Sequence, residues 1–321
     1  MKHGKASRTA GHVAALRGLG VLLPPSARLI DDPWGAEWTG YGRLRRLAAV
    51  MPGLAQRLSR PMWRWLLYMQ VRTYALDQEV VRFAESGGRQ LVLLGAGLDA
   101  RAQRLRHPSL RVFEVDHPAT QAKKRRLAEA RSAGVPPASL HPSSQAGEGG
   151  AGVEERAGRP RSQGHQAGGA ATFVPWDFEH DPVDRLPQRL CDLGYRRNER
   201  GCVLWEGVTM YLSEAANAAT FAMLADLLAP DSAVAFTYFA KGFLSSRARR
   251  DRLMRRFVAS HGEPWIFGWE PDQLPAWLAA RGFAIEHDDS TAALAARWLP
   301  PDLAARVKED ERRIVLARRM G

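Results

Sequence analysis

The sequence predicts an α/β fold, a seven-stranded, mostly parallel sheet with helices on both faces and a helical cap at the N-terminus. Three observations carry this. From Leu91 onward, short apolar runs alternate with stretches whose apolar residues recur at helical spacing, the pattern of a parallel sheet covered on both sides. The first run, "LVLLGAGLDARAQRL" from Leu91, passes straight into two glycines, as a buried strand, a tight turn and a helix would. Before Leu91 no comparable run occurs, and "PMWRWLLYMQVRTYALDQEVVRFAES" keeps its apolar residues at helical spacing. Residues 1–85 therefore read as the helical cap and residues 86–321 as the sheet domain.

Taken in order, the expected strands are "QLVLLGA", "LRVFEVD", "ATFVPWDF", "CVLWEGV", "AVAFTYF", "FAIEHDD" and "RRIVLAR". Helices are expected between them at 100–106, 118–130, 213–228 and 271–281. Ser213 is placed to cap the third of these, and Pro230 lies just past its end. Residues 130–171 contain nine glycines and four prolines, but no Phe, Tyr, Trp or Ile. Such a segment buries too little to offset its ordering entropy and is expected to be a disordered insertion. Residues 241–275 form a basic, aromatic stretch, read as a lid. Its Trp265, Phe267 and Trp269 either cover an apolar acceptor or pack the arginine-rich helix to the sheet.

Composition narrows the classes. With 321 residues, 45% of them hydrophobic, the chain can bury a full core. The two cysteines, Cys191 and Cys202, offer neither a disulfide framework nor metal-ligand spacing, so no metal is expected and a reducing, cytoplasmic location is. Lys2, Lys5 and Arg8 precede an apolar stretch, but Arg17 interrupts it, which argues against a secretory leader. No uninterrupted apolar run reaches the roughly 18 residues of a membrane span. The net charge of +12 is concentrated in part between Lys241 and Arg256. A solvated helix face accounts for it; a dock for an acidic substrate or RNA is the competing reading, and no nucleic-acid motif accompanies it.

Ligands of open α/β sheets bind beyond the carboxyl ends of the strands. The first strand ends in "GAGLDA", a glycine loop shared by dinucleotide enzymes and methyltransferases. The second ends in "FEVDHP", where Asp116 lies about twenty residues beyond the glycines, the spacing of a ribose-binding carboxylate. The third and fourth end in "VPWDFE" and "LWEGVTMYL". Asp177 beside Phe178 suits an adenine edge and face, and Glu206 suits the cationic amine of a methionine moiety, for which a hydride-transfer enzyme has no use. Taken singly, a strand-end acid is as often a helix cap or a solvated loop residue. Four in order, Asp99, Asp116, Asp177 and Glu206, make a stronger pattern.

Together with "RTYALD" at Arg72 and "EGVTMYLS", these residues resemble the leucine carboxyl methyltransferase family of class I S-adenosylmethionine-dependent methyltransferases, including its bacterial small-molecule O-methyltransferases. The resemblance runs from about Pro25 to Ala240. It implies a Rossmann-like class I fold and S-adenosyl-L-methionine as cofactor. It further implies that Arg72 pairs with the cofactor carboxylate, that Gly95 and Gly97 let the backbone pass close to its methionine part, and that Asp116 binds the ribose. Asp177 and Phe178 would hold the adenine and Glu206 the amino group. The family has a further basic residue near the N-terminus, for which Arg17 and Arg28 compete. Met210 and Tyr211 are candidates to line the acceptor pocket, and plain core packing is their alternative. His117 is the nearest histidine and is not expected to act as a base. The expected activity is O-methylation of a carboxyl or hydroxyl group on a small organic acceptor. The alternatives are methylation of a protein C-terminus or RNA, and nicotinamide-dependent oxidoreduction.

Overall fold

The computed structural model describes residues 8–105, 107–132, 171–246, 249–260, 264–308 and 310–321. Helices fill the N-terminal part: α1 (Arg8–Gly18), α2 (Pro33–Trp38), α3 (Gly42–Val50), α4 (Pro52–Ser59) and the long α5 (Trp63–Glu85). Strand and helix then alternate through β1 (Gln90–Leu94), α6 (Arg101–Arg104), β2 (Arg111–Asp116), α7 (Pro118–Ser132), β3 (Thr172–Pro175), α8 (Leu186–Asp192), β4 (Gly201–Trp205), α9 (Glu214–Leu227) and β5 (Ala233–Phe239). The chain closes with α10 (Lys241–Ser245), α11 (Arg249–Ser260), α12 (Leu274–Ala279), β6 (Phe283–Ser290), α13 (Thr291–Trp298), α14 (Pro301–Ala304) and β7 (Arg312–Arg319).

All seven expected strands form, in the order β3-β2-β1-β4-β5-β7-β6. The first five in this order are parallel; β7 runs antiparallel between β5 and β6. Because successive side chains point to opposite faces, each central strand feeds two cores. Leu91, Leu93, Leu204 and Ala235 face α5, whose Leu67, Val71 and Val80 cover them. Val92, Leu94, Val203 and Phe236 face the other way, onto α8 and α9. Phe221 of α9 meets Trp205, Phe236, Trp277 and Phe283 edge-on at centroid distances of 5.4 to 5.7 Å, the geometry that the ring quadrupole favours.

Three expectations shift. Residues 130–132, placed in the insertion, are the last turn of α7; most of the insertion lies outside the described residues. The helix expected from 271 is shortened to Leu274–Ala279, because the backbone before it turns through Glu270, whose carbonyl accepts from Gln273 and Leu274. The helix after the glycine loop is a single turn. Ser213 caps α9 as expected, its hydroxyl accepting from the Ala216 amide at 3.2 Å.

Candidate active site

Sheet order reverses between β1 and β4, so the crevice opens at their carboxyl ends. The glycine loop sits there. Gly95 and Ala96 both donate their amides to the Val115 carbonyl, at 2.9 and 3.1 Å. Gly95 and Gly97 take φ of 67° and 51°, a region costly for any residue with a Cβ. A Cβ on Gly95 would also lie 2.6 Å from Val208 Cγ2. Glycine is therefore demanded at 95 both by the turn, as expected, and by the neighbouring β4 loop, for which the sequence gives no signal.

Asp116 closes this loop. One carboxylate oxygen accepts from the Gly97 amide and the other from His117 N at 2.6 Å. Burial pushes its pKa up, while the two backbone donors oppose the rise. Asp116 thus clasps β2 to the glycine loop. His117 is committed nearby: its Nδ1 accepts from the Ala119 amide at 3.1 Å, and its Nε2 lies 3.3 Å from Asp177. The imidazole bridges two strand ends and is not directed to solvent alone. Asp177 also accepts from Glu179 N and pairs with His180, so its carboxylate is organised by its own turn. Phe178 packs partly buried against the second core.

A charge-balanced cluster forms at the other end of the crevice. Arg72 from α5 meets Glu206 with Nε 2.6 Å from Oε1. Arg101, which is 1% exposed, reaches Glu206 Oε2 at 2.5 Å and Asp77 at 2.7 Å, and also pairs with Asp99. Arg104 adds a second contact to Asp77, at 2.7 Å. Three guanidiniums therefore face three carboxylates. Burial drives the Glu206 pKa upward, but Arg101 and Arg72 outweigh it and hold the group at about 2. Asp99 is likewise held far below the usual carboxylate range, burial being overcome by Arg101, Arg17 and Lys124.

Arg72 and Glu206 are thus brought together as expected, but paired with each other. Arg101 and Asp77 carry the cluster and were not assigned roles from sequence. Their one signal was the proximity of Arg101 to the glycine loop and the place of Asp77 as the last residue of "RTYALD". Of the two competing N-terminal bases, Arg17 is the one that reaches the glycine loop. It is buried, with Nε 2.9 Å from Asp32 and Nη2 2.5 Å from the Leu98 carbonyl of the glycine loop. Arg28 instead binds the Leu23 carbonyl.

Beyond Glu206, residues Thr209–Tyr211 make a 3-10 turn. Met210 is buried against Phe239 and Phe243, with Tyr211 and Trp265 packed on the same cluster. Its carbonyl accepts from the amides of Ile266 and Phe267, at 2.8 and 3.3 Å. The aromatic segment therefore divides its labour: Trp265 lies over the Met210 cluster, whereas Trp269 is buried among Phe236, Tyr238 and Trp277.

Comparison with known proteins agrees with this architecture. The family model described as leucine carboxyl methyltransferase matches residues 10–225. A candidate S-adenosyl-L-methionine-dependent methyltransferase of Parafrankia sp. (strain EAN1pec) is 31% identical over 265 residues, covering 82% of this chain and 73% of the relative. Another, from Mycobacterium tuberculosis (strain ATCC 25177 / H37Ra), is 29% identical over 300 residues, covering 89% and 81%. Among solved structures, a duf574 family protein from Streptomyces avermitilis superposes with a TM-score of 0.52 at 16% identity, over 94% of this chain and 99% of that one. That similarity concerns the fold. No helix among the described residues is long and apolar enough to cross a membrane. The chain belongs to the leucine carboxyl methyltransferase family and is an S-adenosyl-L-methionine-dependent methyltransferase with a Rossmann-like class I fold.

Proposed function

We propose that this chain transfers the methyl group to an oxygen of a small organic acceptor, using the crevice above β1 and β4 as its cofactor site. The donor set fits the cofactor chemically. A methionine moiety is a zwitterion, so it adds no net charge to the balanced cluster of Arg72, Arg101, Arg104, Asp77, Asp99 and Glu206. Glu206, ionised at neutral pH, accepts from its amine. Arg72 uses Nε on Glu206 and Nη1 on the Tyr68 hydroxyl, and offers Nη2 to the carboxylate, a charge-assisted pairing. Asp116 takes the ribose hydroxyls, and Phe178 with Asp177 borders the adenine. Arg17 holds the glycine loop in place through Leu98.

When bound, S-adenosyl-L-methionine supplies a methyl group on a sulfonium. The protein's task is then to hold the acceptor oxygen in line with it, and positioning does most of such catalysis. The observation that carries the small-acceptor reading is the aromatic cluster of Met210, Phe239, Phe243 and Trp265 immediately beyond Glu206. A carboxylate acceptor arrives ionised and needs no base, in keeping with the commitment of His117 to the Asp177 turn.

Methylation of RNA drew its support from the basic helix α11. Arg255 of that helix instead donates to the carbonyls of Phe243 and Ser246, at 2.8 and 2.6 Å, which favours packing. The test is incubation with S-adenosyl-L-methionine and a pool of small carboxylic acids and phenols, read by mass spectrometry. A gain of one methylene unit in a small molecule is expected; transfer only to RNA or to a protein C-terminus would contradict the reading.

A further inference from the structure

Arg312, the first residue of β7, stands opposite Phe239 at the carboxyl end of β5. It is 6% exposed, yet among the described residues it has no ion-pair partner, and its buried Nε makes no hydrogen bond. This sets it apart from the other buried cations. Arg17, Arg72, Arg101 and Lys124 are each matched to a carboxylate. A buried guanidinium is costly unless its charge and its five donors are answered. Around Arg312 the answer is partial: the ring centroids of Tyr68, Trp65, Phe243 and Phe239 lie 4.6, 5.1, 5.6 and 5.8 Å from its central carbon. Aromatic faces attract the charge but do not occupy its in-plane donors.

The position ties this unfilled donor set to the site. Tyr68 also receives Arg72 Nη1 on its hydroxyl, at 3.4 Å. Phe239 and Phe243 are the rings that pack on Met210. Arg312 therefore lies between the proposed methionine end of the cofactor site and the proposed acceptor cluster. We propose that Arg312 is the anchor for a carboxylate on the methyl acceptor, which its aromatic surround selects for a flat, apolar body. This rests on the small-acceptor reading above and adds the substrate class. A carboxylate answers a guanidinium through two parallel bonds, and a neutral isostere of the same shape does not.

The test uses the full chain saturated with S-adenosylhomocysteine and matched pairs of probes: cinnamate against cinnamamide, and a leucine-terminated peptide acid against its amide. Binding is read by calorimetry in the wild type, Arg312→Gln and Arg312→Lys. Cinnamate is expected to bind at least about tenfold more tightly than cinnamamide, and Arg312→Gln to erase that preference while leaving S-adenosylhomocysteine affinity unchanged. Arg312→Lys keeps the charge and retains part of the preference; it decides the matter if the Gln variant does not fold. Equal binding of acid and amide, no detectable binding of cinnamate or peptide acid, or a preference that survives Arg312→Gln would overturn the proposal. An Arg312-dependent preference for the peptide acid alone would keep the anchor and overturn the small-acceptor reading.

Discussion

Glu206 is the residue on which the cluster closes, since among the described residues it is the only carboxylate shared by Arg72 and Arg101. Replacing it by Gln leaves two buried guanidiniums short of a counter-charge. Removing one member of a buried pair typically costs about 3 to 5 kcal/mol, so Glu206→Gln is expected to lower unfolding free energy by that order in urea titrations. The pH dependence has a defined sign. The folded-state pKa of Glu206 is depressed to about 2, below its unfolded value. Its stabilising contribution is therefore present above the ordinary carboxylate pKa and is lost as pH falls toward about 2. The gap in unfolding free energy between wild type and Glu206→Gln should be flat around neutrality and narrow in acid. A gap that widens with falling pH would contradict this. Arg72, Asp116 and Glu206 were visible in the sequence because they end strands or sit in a motif. Arg101, Asp77 and the Lys124–Glu114 pair were not assigned, because their significance lies in pairings between separate elements, which neither periodicity nor motif displays.

At the scale of elements, the glycine loop joins β1 to the site, and its geometry depends on two neighbours at once. Gly95 is left-handed and abuts Val208. Gly95→Ala is expected to cost about 1 to 3 kcal/mol from backbone strain alone, and to weaken S-adenosylhomocysteine binding by displacing the "EGV" turn that follows β4. Calorimetry and thermal melts check both; unchanged affinity would separate the loop from the site. The strands were legible because both faces of each central strand are buried, which leaves an apolar run in the sequence. Helix α5 was legible as a helix, but its place against β1, β4 and β5 was not, since periodicity marks an apolar face without naming what covers it. The fate of the aromatic segment was open for the same reason: Trp265 and Trp269 look alike in sequence and point to different clusters.

Across the whole molecule, α5 is fastened to the sheet at two points. Arg72 reaches Glu206 near its middle, and Glu79, about two turns further along, meets His287 of β6 at 3.2 Å. The hydrogen bond to Glu79 raises the His287 pKa above its ordinary value despite burial. A raised folded-state pKa stabilises the fold fully below the unfolded pKa of about 6.5, and that contribution is lost as pH rises through the folded value. The melting temperature of the wild type is therefore expected to exceed that of His287→Gln in mildly acidic buffer, the difference shrinking on the alkaline side. A difference that is constant with pH would show that the Glu79–His287 ion pair does not contribute to stability.

The most direct test of the central claim, that one crevice above β1 and β4 holds both ends of the cofactor, is a crystal structure with S-adenosylhomocysteine bound. The ribose hydroxyls are expected on Asp116, the amino group on Glu206 and the carboxylate on Arg72. A bound nucleoside that leaves either Asp116 or Glu206 out of hydrogen-bond reach would contradict it.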